Sequence, residues 1–135
     1  MKKNLAVIFT LFLLISSFIG NAQSAQKANQ IPAPNKIEAY YFHLSSRCVT
    51  CKAVEAEAKK NLESLYGDKV TFQAINLEED ANNALAAKLK ISGQTLLIVK
   101  GNKQINLTNE GFMYALNNPE KFKTILKTKV DGLLK

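Results

Sequence analysis

Ile37-Glu38-Ala39-Tyr40-Tyr41-Phe42-His43-Leu44, followed after three residues by Cys48-Val49-Thr50-Cys51, is the stretch whose reading decides the fold. The first eight residues are aromatic-rich and nearly continuous in apolar side chains, which suits a strand buried on both faces in a sheet's interior. Beyond the cysteines, Ala53, Val54, Ala58, Leu62, Leu65 and Tyr66 recur at helical spacing, and Gly67 stands where a C-cap glycine would. The pattern predicts a strand over 37–44 and a helix over 50–66. The cysteine pair then falls on the strand-to-helix junction, where free backbone N–H groups and the positive end of the helix dipole favour a thiolate. Cys48 is expected at or just before the helix start and exposed, with Cys51 nearly a turn inside and partly covered. Arg47 adds a permanent positive charge beside Cys48, and such settings lower a thiol pKa from about 8.5 to within roughly 3.5–7.5. Lys52 adds a weaker push. Cys48 is therefore read as the attacking sulfur and Cys51 as the resolving one.

Downstream, residues 70–77 return to strand character, and 79–89 is alanine-rich with acids in its opening turn, as a helix start prefers. Residues 95–99 form a β-branched and leucine run, Lys100-Gly101-Asn102-Lys103 supplies turn residues, and 104–107 reads as a short returning strand. Thr108 or Asn109 can cap a last helical region, which Asn117-Asn118-Pro119 interrupts before 120–134 continues it. The order β-α-β-α-β-β-α predicts an α/β fold with a central mixed sheet flanked by helices, its early strands parallel and its hairpin antiparallel.

Upstream, Met1-Lys2-Lys3-Asn4 is a short positive stretch and residues 5–19 are apolar apart from Thr10, Ser16 and Ser17. Gly20-Asn21-Ala22 then fits a cleavage site with small residues at minus three and minus one. Residues 1–22 are read as a signal peptide, 23–35 as a flexible lead-in rich in Gln, Ala, Asn and Pro, and 36–135 as the folded domain. An uncleaved anchor is the alternative, although the apolar stretch is short against the roughly 20 residues that span a bilayer. No cysteine lies in this segment to accept a lipid. The expectation is an exported product, periplasmic or secreted, with no stable membrane span after cleavage.

Export puts both cysteines where disulfides persist. A bridge closing so short a loop removes little chain entropy from the unfolded state, so a reactive pair explains them better than a structural staple. The net charge of +7 falls by two when Lys2 and Lys3 are removed. The remaining lysines scatter along helical stretches without the interleaved aromatics of a base-stacking surface, which excludes nucleic acid as the expected partner.

From residue 37 to 134 the chain resembles the thioredoxin superfamily. The likeness is carried by Tyr40-Tyr41-Phe42 leading to Cys48-Val49-Thr50-Cys51-Lys52, by Asn76-Leu77-Glu78 ending the second strand, and by Ile91-Ser92-Gly93-Gln94-Thr95-Leu96 entering the hairpin. Tyr40-Tyr41-Phe42-His43 through Arg47-Cys48-Val49-Thr50-Cys51 is similar, more closely, to the small exported family labelled nitrophenyl-compound nitroreductase subunit, ArsF type. The resemblance implies a thiol–disulfide oxidoreductase, or the redox subunit of a larger system, with Cys48, Cys51 and Arg47 as its catalytic residues. It implies Gly93, Gln94 and Thr95 as the segment facing the substrate, and a protein client or redox partner, with no cofactor and no bound metal.

Three departures from thioredoxins stand out. No tryptophan precedes Cys48, and Val-Thr replaces Gly-Pro between the cysteines, so the potential is not fixed within the family's range of about −270 to −120 mV. The buried acid of the first strand has no expected counterpart where Tyr40 and Tyr41 stand. Gln94 occupies the place of the cis-proline that faces the sulfurs, and because a cis bond before a non-proline residue costs about 2.5–4 kcal/mol, Gly93–Gln94 is expected to be trans. Two alternatives remain open: a copper- or zinc-binding module using Cys48, Cys51 and His43, since soft thiolates select such ions, and a non-catalytic interaction protein that keeps the fold.

Overall fold

The computed structural model describes residues 36–135, so the expected signal peptide and lead-in lie outside the described residues. Strand β1 (Ile37–His43) is an interior strand of the sheet: six of its seven residues are buried. It pairs in parallel with β2 (Val70–Asn76) and antiparallel with β3 (Thr95–Lys100), which turns through Gly101-Asn102 into antiparallel β4 (Lys103–Asn106). The strand order is β2-β1-β3-β4. Among the described residues there are four α-helices: α1 (Val49–Tyr66), α2 (Asn83–Lys88), α3 (Thr108–Tyr114) and α4 (Pro119–Leu134). This is the α/β class expected above, with the β-α-β-α-β-β-α order and a mixed sheet with helices on both faces.

The alternation of side chains along β1 builds two cores. Ile37, Ala39 and Tyr41 join Val54, Ala58 and Leu62 of α1 and Phe122, Leu126 and Val130 of α4 in the larger one. Tyr40 and Phe42 point to the other side and join Ile75, Leu97, Val99 and the short α2 through Ala86, with Leu89 just beyond it. Helix α1 ends as its sequence predicts: Gly67 takes φ 52°, a left-handed value that favours glycine, and its N–H donates to the Glu63 carbonyl. On α4, Pro119 occupies the first turn and the Asn118 side chain accepts from the Lys121 N–H at 3.1 Å, so Asn117-Asn118-Pro119 is the expected break.

Two expectations need correction beyond shifts of a residue at strand ends. The helix expected over 79–89 is shorter: residues Asp80–Asn82 form a 3-10 turn and only Asn83–Lys88 is α-helical. The Asn82 side-chain amide donates to the Asn76 carbonyl at 2.9 Å, tying that turn back to the end of β2 instead of letting it run into the helix. Neither Thr108 nor Asn109 caps α3. Asn106 does the equivalent work, its Oδ1 accepting from the Thr108 N–H at 2.9 Å, while the Thr108 hydroxyl accepts from the Leu96 N–H at 3.0 Å and binds α3 to β3.

Candidate functional site

Where β1 ends, residues 44–47 carry the chain over the edge of the sheet to α1. That loop is fastened to the end of β2: the Leu77 N–H donates to the His43 carbonyl at 2.8 Å, the Ser45 N–H to Glu78 at 2.7 Å, and the Asn76 amide to the Ser45 hydroxyl at 2.9 Å. Hydrogen bonds from Ser45, its side chain first and then its backbone, hold the Glu78 carboxyl below the usual carboxylate range.

Cys48 is the N-cap of α1. Its backbone is extended, its sulfur accepts from the Cys51 N–H at 3.1 Å, and its carbonyl accepts from the Lys52 N–H at 3.1 Å. A sulfur placed there occupies the helix's anion position. Cys48 and Cys51 are joined as a disulfide with their Cα atoms 5.1 Å apart. Cys48 is exposed while Cys51 is only 4% exposed, the division expected from the sequence, and Val49 between them is 72% exposed. The α1 stripe that buries Cys51 continues through Val54, Ala58 and Leu62 into the larger core.

Across from the sulfurs, the Gly93–Gln94 peptide bond is trans, and the Gln94 side-chain oxygen lies 3.6 Å from Cys51 Sγ. The segment does reach the pair, but its contact falls on Cys51 rather than on Cys48. Thr95, buried at the start of β3, donates its hydroxyl to the Gly93 carbonyl at 2.9 Å and shapes the loop that presents Gln94.

Arg47 lies beside Cys48 in the chain, but its guanidinium pairs with Glu55 of α1, both side chains about a quarter exposed. The sequence reading missed Glu55. Its spacing of four from Cys51 puts it on the same helix face one turn further on, which is the signal that could have found it. Tyr41, fully buried in the core against α1, has a hydroxyl with no hydrogen-bond partner. Burial pushes its phenol pKa up, the Glu55 charge pushes it further, and the Arg47 charge pulls it back.

The first strand does hold a buried acid that the sequence reading did not single out: Glu38, which accepts from the Tyr40 hydroxyl at 2.9 Å. It shares Tyr40's face of the sheet, away from α1, because residues two apart on a strand point the same way. It is therefore not placed beneath the sulfurs. Burial and then the Glu38 hydrogen bond drive the Tyr40 phenol far above its ordinary pKa. His43 is only partly buried, with Nδ1 3.0 Å from the Leu44 carbonyl. Among the described residues, no three His, Cys, Asp or Glu side chains gather as a metal site, so His43 is not brought into a ligand set with the cysteines. No described helix is long and apolar enough to cross a membrane.

No family model matches the chain. No curated protein matches it either. Solved structures do. One described as a malarial protein is 25% identical, covers 52% of this chain and 75% of its own, and superposes with a TM-score of 0.41. Thioredoxin-2, described as a component of the malaria parasite's protein secretion machinery, is 20% identical over 61% of this chain and 82% of its own, TM-score 0.44. Thioredoxin from Wuchereria bancrofti is 16% identical over 71% and 83%, TM-score 0.43.

Proposed function

We propose that this chain is an exported thiol–disulfide oxidoreductase, or the redox subunit of a larger system, working through Cys48 and Cys51. The observation that carries the reading is the N-cap geometry: an exposed sulfur accepts a backbone N–H at the start of a long helix, with its partner sulfur buried one turn inside. In the reducing direction, the Cys48 thiolate attacks a client disulfide and expels one client thiolate, leaving a mixed disulfide. Cys51 loses its proton and attacks Cys48 Sγ, which releases the second client thiolate and forms the Cys48–Cys51 disulfide. Two electrons pass to the client, and the reverse sequence oxidises it. Gln94 lies against Cys51, and Gly93, Gln94 and Thr95 are the segment along which a client would lie on this reading. The ArsF-type likeness supports a protein redox partner as the source or sink of those electrons.

The experiment is a short iodoacetamide pulse on the reduced protein at about pH 6, where ordinary thiols with a pKa near 8.5 scarcely react, followed by peptide mass mapping. Cys48 should carry nearly all the label, Arg47→Ala should slow it, and Cys51→Ser should trap a client on Cys48. Equal labelling of both cysteines, or preference for Cys51, would overturn the assignment. Export is read by intact mass of the mature protein, whose first residue should lie between Gln23 and Gln26. Retention of residues 1–19 in the exported product would make that segment an anchor.

A further inference from the structure

We propose that the Tyr41 hydroxyl is a redox-linked hydrogen-bond donor: unpartnered in the disulfide form, it donates to Glu55 in the dithiol form, when the Cys48 thiolate draws Arg47 away. This deepens the reading above and rests on it. Three observations meet here. Tyr41 is completely buried against α1, yet its hydroxyl is unsatisfied, while the neighbouring Tyr40 hydroxyl is bonded to Glu38. Native proteins seldom leave a buried hydroxyl without a partner, so a second arrangement that supplies one explains its retention. The charges acting on that hydroxyl are Glu55 and Arg47, already paired with each other. Arg47 also directly precedes Cys48, so reduction creates a second anion competing for the same guanidinium.

In the disulfide form Cys48 carries no charge, and Arg47 belongs to Glu55. Reduction by two molecules of glutathione breaks the Cys48–Cys51 bond and forms one bond in glutathione disulfide. Of the two protons supplied, one stays on Cys51 and one is released as Cys48 ionises. Arg47 then turns toward the thiolate, and the carboxylate it leaves accepts from Tyr41. Tyr41 is thus a positioning residue that stabilises the reduced state through Glu55 and Arg47, without touching sulfur.

The wild-type protein, carbon-13 labelled at tyrosine Cζ, is observed by NMR before and after reduction. The Tyr41 resonance should move as its hydroxyl begins to donate, while Tyr40, bonded on the opposite face in both forms, should hold still. Tyr41→Phe should shift the equilibrium with glutathione about tenfold toward the disulfide, or about 30 mV. In a Glu55→Gln background the same substitution should shift it less than twofold. An unmoved Tyr41 resonance overturns the proposal, as does an equal shift in both backgrounds, which would mark a merely structural tyrosine. If Tyr41→Phe fails to fold, the labelled wild type decides. A wild type that glutathione cannot reversibly reduce removes the redox reading itself, whereas one that titrates normally with Tyr41 silent removes only this role.

Discussion

The two faces of β1 treat adjacent tyrosines differently. On the thinner face, under the six-residue α2, Tyr40 is closed into a hydrogen bond with Glu38, two residues back on the same strand. On the thicker face, under α1 and α4, Tyr41 is equally buried and its hydroxyl is left without a partner, within the field of the Arg47–Glu55 ion pair. Of the two adjacent hydroxyls, only the one in the field of Arg47 and Glu55 is left without a partner.

The sharpest way to test the difference in depth is a matched pair of leucines. Leu126→Ala, at a fully buried site between two long helices and the sheet, should cost about 4 kcal/mol, and Leu89→Ala about 2 kcal/mol, because the short α2 can settle into the space. Urea denaturation of both variants checks this, and equal losses would mean the faces are equally rigid. Next in size is the tyrosine pair in the disulfide form. Tyr40→Phe leaves the Glu38 carboxyl buried without its donor and should cost about 2 kcal/mol, whereas Tyr41→Phe removes a hydroxyl that has no partner and should stay within about 0.5 kcal/mol of wild type.

A smaller effect, confined to the thicker face, is expected at Gly111. A Cβ there would lie 2.9 Å from Val54 Cγ1 of α1, and a β-branched side chain in a helix has little freedom to turn away. Gly111→Ala should cost about 1–2 kcal/mol and perturb the backbone amide resonances of Cys51 and Val54. The smallest concerns the loop leading from the sheet to the site. Because Ser45 depresses the Glu78 carboxyl, that carboxylate stabilises the fold above the ordinary glutamate pKa of about 4.3, and the contribution is lost as pH falls through its lowered folded value. The Ser45 amide should exchange faster with solvent in that acid window, and Glu78→Gln should flatten the dependence.

Much of the thick face was legible in the chain. The spacing of Val54, Ala58 and Leu62, closed by Gly67, leaves one reading for α1, and the apolar run of β1 leaves one for the interior strand. Cys48 and Cys51 follow from that junction. What escaped depends on side chains that reach outside their own element. Asn82 shortens α2 by bonding back to β2, which periodicity cannot register. Arg47 meets Glu55 because the loop turns its guanidinium onto α1. The separation of Glu38 from the sulfurs was available from the two-residue period alone, yet a nearly continuous apolar run gives no sign that its one acid is buried.

The disulfide joins the N-cap of α1 to its own first turn, and no two elements of the fold depend on it for their connection. Sheet, hairpin and both cores are held by contacts that lie elsewhere, so opening the bond loosens one helix end and leaves the framework standing. On the proposed function, a protein built this way would be discharged and recharged without refolding between cycles.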